Sequence, residues 1–294
     1  MNSFGDIAYL YTVDEYIATL DEAERGPAHQ MFEASRLALA LARQVQGLRD
    51  PLPEIRIRSN PTINAEAMPG RIYLNEGLVR TCAELALPAS FFSAMELDEQ
   101  LWVPLPAYAL AFTLSHEYMH IARMHGDCER ELGNSGAFIL ATEYDADLCA
   151  TAVVYRLAQH LYGDLIEDRE IRSITLFAIL WFILSLPRSN TTTTHSPTAE
   201  RIWSIYAKLC SLRKNRTHPA DPSCEGPECR EVADYLPETL NKISTLHPDL
   251  PYSSGGIFAQ MINGFEEGPE KFQAASAWEK VRGTVEAILV KANK

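Results

Sequence analysis

The stretch Thr113–Gly126, T-L-S-H-E-Y-M-H-I-A-R-M-H-G, constrains this chain more than any other. Leu114, Met119 and Ile121 mark a helix that belongs in a core, yet the same run carries His116, Glu117 and His120. Residues at i and i+4 share a helix face, so His116 and His120 can aim both imidazoles at one point. That spacing suits two zinc–nitrogen bonds of about 2.1 Å. Glu117 lies about 100° round the helix, too far to be an equivalent ligand and near enough to reach a water on the metal. A metal-polarised water with a carboxylate to take its proton is what attack on an amide carbonyl needs. The plainer alternative is a core helix that happens to carry polar side chains. The helix is expected from Ala107 to His125, with Gly126 as a left-handed stop.

Two histidines do not complete a zinc site, which needs a third ligand and an open position. A third histidine six residues after the second is one solution, but that position is Gly126, and His125 falls one short. A glutamate on a following helix is the other, and Glu143-Tyr144-Asp145-Ala146-Asp147 supplies one. Glu143 and Asp147 are also i and i+4, so with Glu143 on the metal Asp147 shares its face and can accept an N–H from a ligating imidazole. A Glu-x-x-x-Asp pair by itself usually marks a solvated face. This one opens a mostly apolar helix, expected from Ala137 to Tyr162, directly after the histidine helix. Asp145 is the rival ligand, turned about 200° from Glu143 and lacking an acid four residues on. His29, His160, His218 and His247 read as structural.

Around this pair the chain alternates helix and a little strand. Val13 to Leu48 reads as helix, with Pro27 suiting a start. Glu54–Arg58 alternates polar and apolar, and Ile63–Ala67 and Arg71–Leu74 flank a Met68-Pro69-Gly70 turn, giving a small β element. Gly77–Leu87 is helical and Pro88–Pro106 a loop with aromatic residues. Ser173–Leu186 is an apolar run that would span only about 20 Å as a helix, short of the roughly 30 Å of a bilayer core, so a buried core helix is expected. At most a peripheral membrane contact is left to it. A helix follows from Thr198, with Ile202, Ile205, Tyr206 and Leu209 on one face.

The 294 residues carry 26 Lys and Arg against 39 Asp and Glu, a net charge of −13, which argues against a hold on nucleic acid or anionic lipid. The six cysteines are scattered, save Cys224 and Cys229, which read as ordinary loop thiols rather than a metal clip. With no basic, apolar leader at the N-terminus, a cytoplasmic protein is expected. Residues 1–213 form the expected catalytic domain, with N-terminal helices to residue 50 and the core from 51. Residues 214–294 form a C-terminal extension, rich in Pro and Cys and then helical.

With H-E-Y-M-H joined to E-Y-D-A-D, the chain resembles the gluzincin metallopeptidases, in particular the HtpX, BepA-type and prenyl-protein endopeptidase group, whose pattern is HExxH followed by ExxAD. Two further segments fit in order. One is Asn64-Ala65-Glu66-Ala67-Met68-Pro69-Gly70-Arg71-Ile72-Tyr73-Leu74-Asn75-Glu76-Gly77-Leu78, like the family's strand, turn and strand. The other is Thr194-His195-Ser196-Pro197-Thr198-Ala199-Glu200-Arg201-Ile202, like its late T-H-P-x-x-x-x-R-I element, though Ser196 here separates histidine from proline. The chain also looks, more loosely, like the phage-exclusion peptidases of the Lit type.

The resemblance implies His116, His120 and Glu143 as ligands of one Zn2+ per chain, Glu117 as general base and acid, and Asp147 behind a ligand. It further implies that His195 binds the oxyanion, that Arg201 braces that loop, and that the Asn64 and Ala65 segment is an edge strand pairing with extended substrate. The expected fold is a mainly helical α+β zincin with a small antiparallel sheet packed on the HExxH helix. The expected function is hydrolysis of a peptide bond in a protein or peptide substrate by general-base attack of a metal-bound water. The alternative is a zinc-binding or scaffold protein that keeps such a site without turnover.

Overall fold

The computed structural model describes residues 9–46, 50–86, 104–133, 135–186, 198–212 and 273–292. Strand β1 (Leu10–Thr12) runs straight into helix α1 (Val13–Thr19), and a reciprocal cap fixes the junction. Thr12 Oγ1 accepts from the Glu15 N–H at 3.2 Å while the Glu15 carboxylate accepts from the Thr12 N–H at 2.7 Å. Helix α2 (Glu22–Gln46) follows. The single helix expected from Val13 is thus broken at Leu20 and Asp21, where Leu20 is extended and Arg25 donates to the carbonyls of Ala18 and Leu20. Pro27 lies inside α2 rather than at its start. The start is made instead by the Asp21 carbonyl, which accepts from Glu24 and Arg25.

Strands β2 (Glu54–Arg58), β3 (Ala65–Met68) and β4 (Arg71–Asn75) complete a four-stranded sheet in the order β1-β2-β4-β3. The hairpin β3–β4 is antiparallel, turning at Gly70 in the left-handed region (φ 72°). β2 and β4, however, run parallel, so the sheet is mixed and not wholly antiparallel. After β2 the chain crosses to the far edge, forms β3, and returns between the two strands. The register Ile55 to Ile72 and Ile57 to Leu74 then gathers the buried Ile57, Ile72 and Leu74 on one face. Helix α3 (Glu76–Ala83) leaves β4 at once, and Gly77 is needed there: a Cβ would sit 2.0 Å from the Pro61 carbonyl oxygen.

Helix α4 (Leu105–Ala122) is buried on nearly every side. It packs against α2, α3, α6 (Gly136–Tyr162) and α7 (Asp168–Ser185), and β3 and β4 lie across it. It ends at Ala122, three residues before the expected His125. Met124 adopts the left-handed conformation (φ 54°) and starts α5 (His125–Leu132), so Gly126 is an ordinary first-turn residue and no stop. Tertiary bonds dictate this turn, because Arg123 and His125 on either side of Met124 are both drawn to Asp145 of α6.

The apolar run in α7 is a core helix, and no described helix is long and apolar enough to cross a membrane. Buried Arg172 ties it to α8 (Thr198–Ser211) by donating to the Leu209 carbonyl, and within α7 it donates to Asp168 at 2.7 Å. Helix α9 (Gln273–Ala292) packs on α5 and α6, where Ala277, Trp278, Val285 and Ile288 join Cys128, Phe138 and Ala141 in a small cluster apart from the main core. Most of the loop Pro88–Pro106, the Cys224 and Cys229 pair, and His195 lie outside the described residues.

Candidate metal centre

Helices α4 and α6 cross so that three side chains meet. His116 Nε2 lies 3.1 Å from His120 Nε2 and 3.2 Å from a Glu143 carboxylate oxygen, and His120 Nε2 lies 3.6 Å from the other. Ligand atoms at the corners of a tetrahedron about 2.1 Å from a central ion stand about 3.4 Å apart. The observed separations, the last two to different oxygens of the one carboxylate, lie near that value, and two imidazoles with a carboxylate are a donor set that suits zinc. The residues therefore fit the ion the sequence implies.

Each histidine presents its other ring nitrogen to a supporting group. His116 Nδ1 lies 2.9 Å from Asp147 Oδ1. Asp147 accepts in turn from Arg201, whose Nε reaches Oδ2 at 2.7 Å and whose terminal nitrogen reaches Oδ1 at 2.9 Å. His120 Nδ1 lies 3.0 Å from His125 Nδ1, and His125 Nε2 lies 3.1 Å from Asp145 Oδ2, which also accepts from Arg123 Nε. His125 and Asp145 are both buried.

The charges follow from these contacts in the metal-free protein. Burial pulls the His116 imidazole down, but Asp147 and Glu143 together outweigh it and lift the group to about 10. Burial and the neighbouring His116 push His120 down to about 3. Burial raises the Asp147 carboxyl, yet Arg201 and His116 overcome that and hold it well below the usual carboxylate range. These contacts therefore favour a proton on His116, between Asp147 and Glu143, and disfavour one on His120.

This triangle opens into a cavity of about 570 Å³. Glu117 lines it beside the histidines, as the spacing predicts. Asn64 and Ala65 line it as well, and among the described residues β3 is the outer strand of the sheet, paired with β4. Phe112, Phe138, Phe182 and Leu186 supply an apolar stretch. Arg201 also lines the cavity, with its guanidinium engaged by Asp147; the loop carrying His195, which it is expected to brace, lies outside the described residues.

Sequence reasoning missed His125, Asp145 and Arg123. Asp145 is set aside above for lying about 200° from Glu143, and that angle is what lets it serve a different histidine. The one available signal was the clustering of Arg123 and His125 with two histidine ligands just upstream of a second acidic motif.

The family model for Peptidase U49 matches residues 83–219, a span that carries both H-E-Y-M-H and E-Y-D-A-D. The chain is thus similar to a peptidase family over that span, while the finer likeness to the HtpX, BepA-type and prenyl-protein enzymes rests on the motifs alone. No curated protein and no solved structure matches the chain.

Proposed function

We propose that the protein is a zinc-dependent endopeptidase. The observation that carries this reading is the triangle of His116, His120 and Glu143, with Glu117 and the start of the outer strand β3 lining the same cavity. The similarity to Peptidase U49 over residues 83–219 supports the same class of chemistry. His116, His120 and Glu143 would hold the ion through Nε2, Nε2 and a carboxylate oxygen. Bound there, zinc supplies Lewis acidity, making a water acidic near neutral pH and polarising a carbonyl.

The remaining steps belong to the chain's own residues. The β3 edge at Asn64 and Ala65 pairs with an extended substrate backbone and presents one peptide bond to the triangle. The phenylalanine-lined stretch of the cavity takes an apolar substrate side chain out of water. Glu117 accepts a proton from the attacking water as the C–O bond forms and gives it to the amine nitrogen as the C–N bond then breaks. Asp147, fixed by Arg201, keeps the His116 ring turned to the site. By the family resemblance, His195 donates to the oxygen on which negative charge develops.

Replacing Glu117 tests this. The Glu117→Gln variant is expected to bind zinc like the wild type and to lose cleavage of a peptide library by a factor on the order of 10² or more. Cleavage by Glu117→Gln at the wild-type rate would remove the carboxylate from its role.

A further inference from the structure

We infer that His125 is a positioning residue for His120, and that the C-terminal helix α9 holds the relay of which His125 is the middle member. The inference rests on the metal-site reading above and concerns residues that reading does not use.

Helix geometry alone would not bring His125 near His120. Five residues at about 100° each would turn it about 140° away from the face that carries both ligands. The left-handed Met124 breaks the helix between them, and the two Nδ1 atoms come to 3.0 Å. A non-glycine residue held at positive φ is strained, and such strain persists only where surrounding contacts over-determine it. Here those contacts are Arg123 and His125 on Asp145.

The protons can be assigned along the whole chain of contacts. His120 faces the triangle through Nε2, so as a neutral ligand it carries its proton on Nδ1 and donates to His125 Nδ1. A neutral His125 that accepts at Nδ1 carries its proton on Nε2 and donates to Asp145 Oδ2. Asp145 is balanced by Arg123. No atom needs two protons and none is left without one. This differs from a second metal site, since His125 turns different nitrogens to His120 and to Asp145.

The relay then reaches α9. The Arg123 guanidinium lies over the ring of Trp278, 5.6 Å from its centroid, and Trp278 is buried in the cluster that α9 shares with α5 and α6. The same helix is seated at its first turn, where the Ala274 N–H donates to a Glu200 carboxylate oxygen at 2.8 Å, next in sequence to Arg201. A helix some sixty residues beyond α8 therefore bears on the end of one histidine support and adjoins the end of the other.

The test is zinc affinity of the full-length chain, measured by competition with a chromophoric chelator, with circular dichroism as the check on folding. His125→Leu keeps bulk but neither accepts nor donates, and is expected to weaken zinc binding by about 10–100-fold. His125→Gln, whose amide can accept from His120 and donate to Asp145, is expected to recover most of that loss. Packing alone would not rank Gln above Leu at a buried site. Trp278→Leu is expected to weaken binding a few-fold. A folded His125→Leu that binds zinc within about twofold of wild type, or Leu and Gln variants that bind alike, overturns the role of His125. Unchanged affinity in Trp278→Leu overturns that of α9. Should His125→Leu not fold, Arg123→Gln at the far end of the relay is read the same way, and unchanged affinity there overturns the inference. A wild-type chain that takes up no zinc overturns this and the metal-site reading together.

Discussion

The two candidate histidine ligands are supported in different ways. His116 has a short support: one carboxylate, Asp147, doubly held by Arg201, all between helices α4, α6 and α8. His120 has a long one, passing through His125 and round a strained residue before it meets Asp145 and Arg123 beside the satellite cluster of α9. The first places a full negative charge directly on the imidazole; the second fixes a ring by hydrogen bonds with its charge one ring further away. Direct charge raises ligand basicity most, while a relay chiefly sets orientation. The first support should therefore dominate stability, and the second should show itself in metal affinity.

The largest expected effect breaks the first support. Arg201→Leu removes the guanidinium that holds both oxygens of the buried Asp147, leaving it His116 alone, and should destabilise the fold by about 3–5 kcal/mol. Arg123→Leu should cost less, about 1–3 kcal/mol, because Asp145 keeps the hydrogen bond from His125. Urea unfolding of both variants checks the ranking, and equal losses would erase the distinction drawn here.

The next effect is one of pH. In the metal-free protein the His116 imidazole stands at about 10, above its ordinary value near 6.5. A raised group stabilises the fold fully below its unfolded pKa and loses that contribution as pH rises through the folded one. Melting temperature of the metal-free chain should thus fall between about pH 6.5 and 10, and zinc should flatten the fall by taking the nitrogen that held the proton. Asp147→Asn should also shrink it. A flat profile in the metal-free wild type would contradict the charge arrangement of the first support.

The smallest effect probes the turn in the second. Met124→Gly should relieve left-handed strain and leave stability unchanged or raised by up to about 1 kcal/mol, whereas Met124→Val should lower it by about 1–2 kcal/mol. Differential scanning calorimetry resolves both, and a destabilising glycine would show that Met124 contributes by packing rather than by conformation.

Particular residues explain what could be read from the sequence. The meeting of His116, His120 and Glu143 was legible because helical period is a local rule, and two helices with facing polar positions in apolar surroundings have few ways to satisfy them. The hairpin at Gly70 was legible for the same local reason. The parallel pairing of β2 with β4 was not, because it depends on which edge the returning chain joins, and neither strand's alternation encodes that. β1 escaped as three residues fused to a helix. Gly126 was read as a stop because glycine tolerates positive φ, while Met124, with no such preference, is held there by tertiary bonds. His125 was set aside as a ligand on spacing, and its place as a support beside His120 could not be read, since it exists only once that turn is made.

The most direct test of the metal centre is the zinc content of protein purified under metal-replete conditions. The account predicts about one zinc per chain in the wild type, and a small fraction of that in His116→Ala and in Glu143→Ala, each folded by circular dichroism. Less than about half an equivalent in the wild type, or zinc retained at full content in both variants, would contradict it.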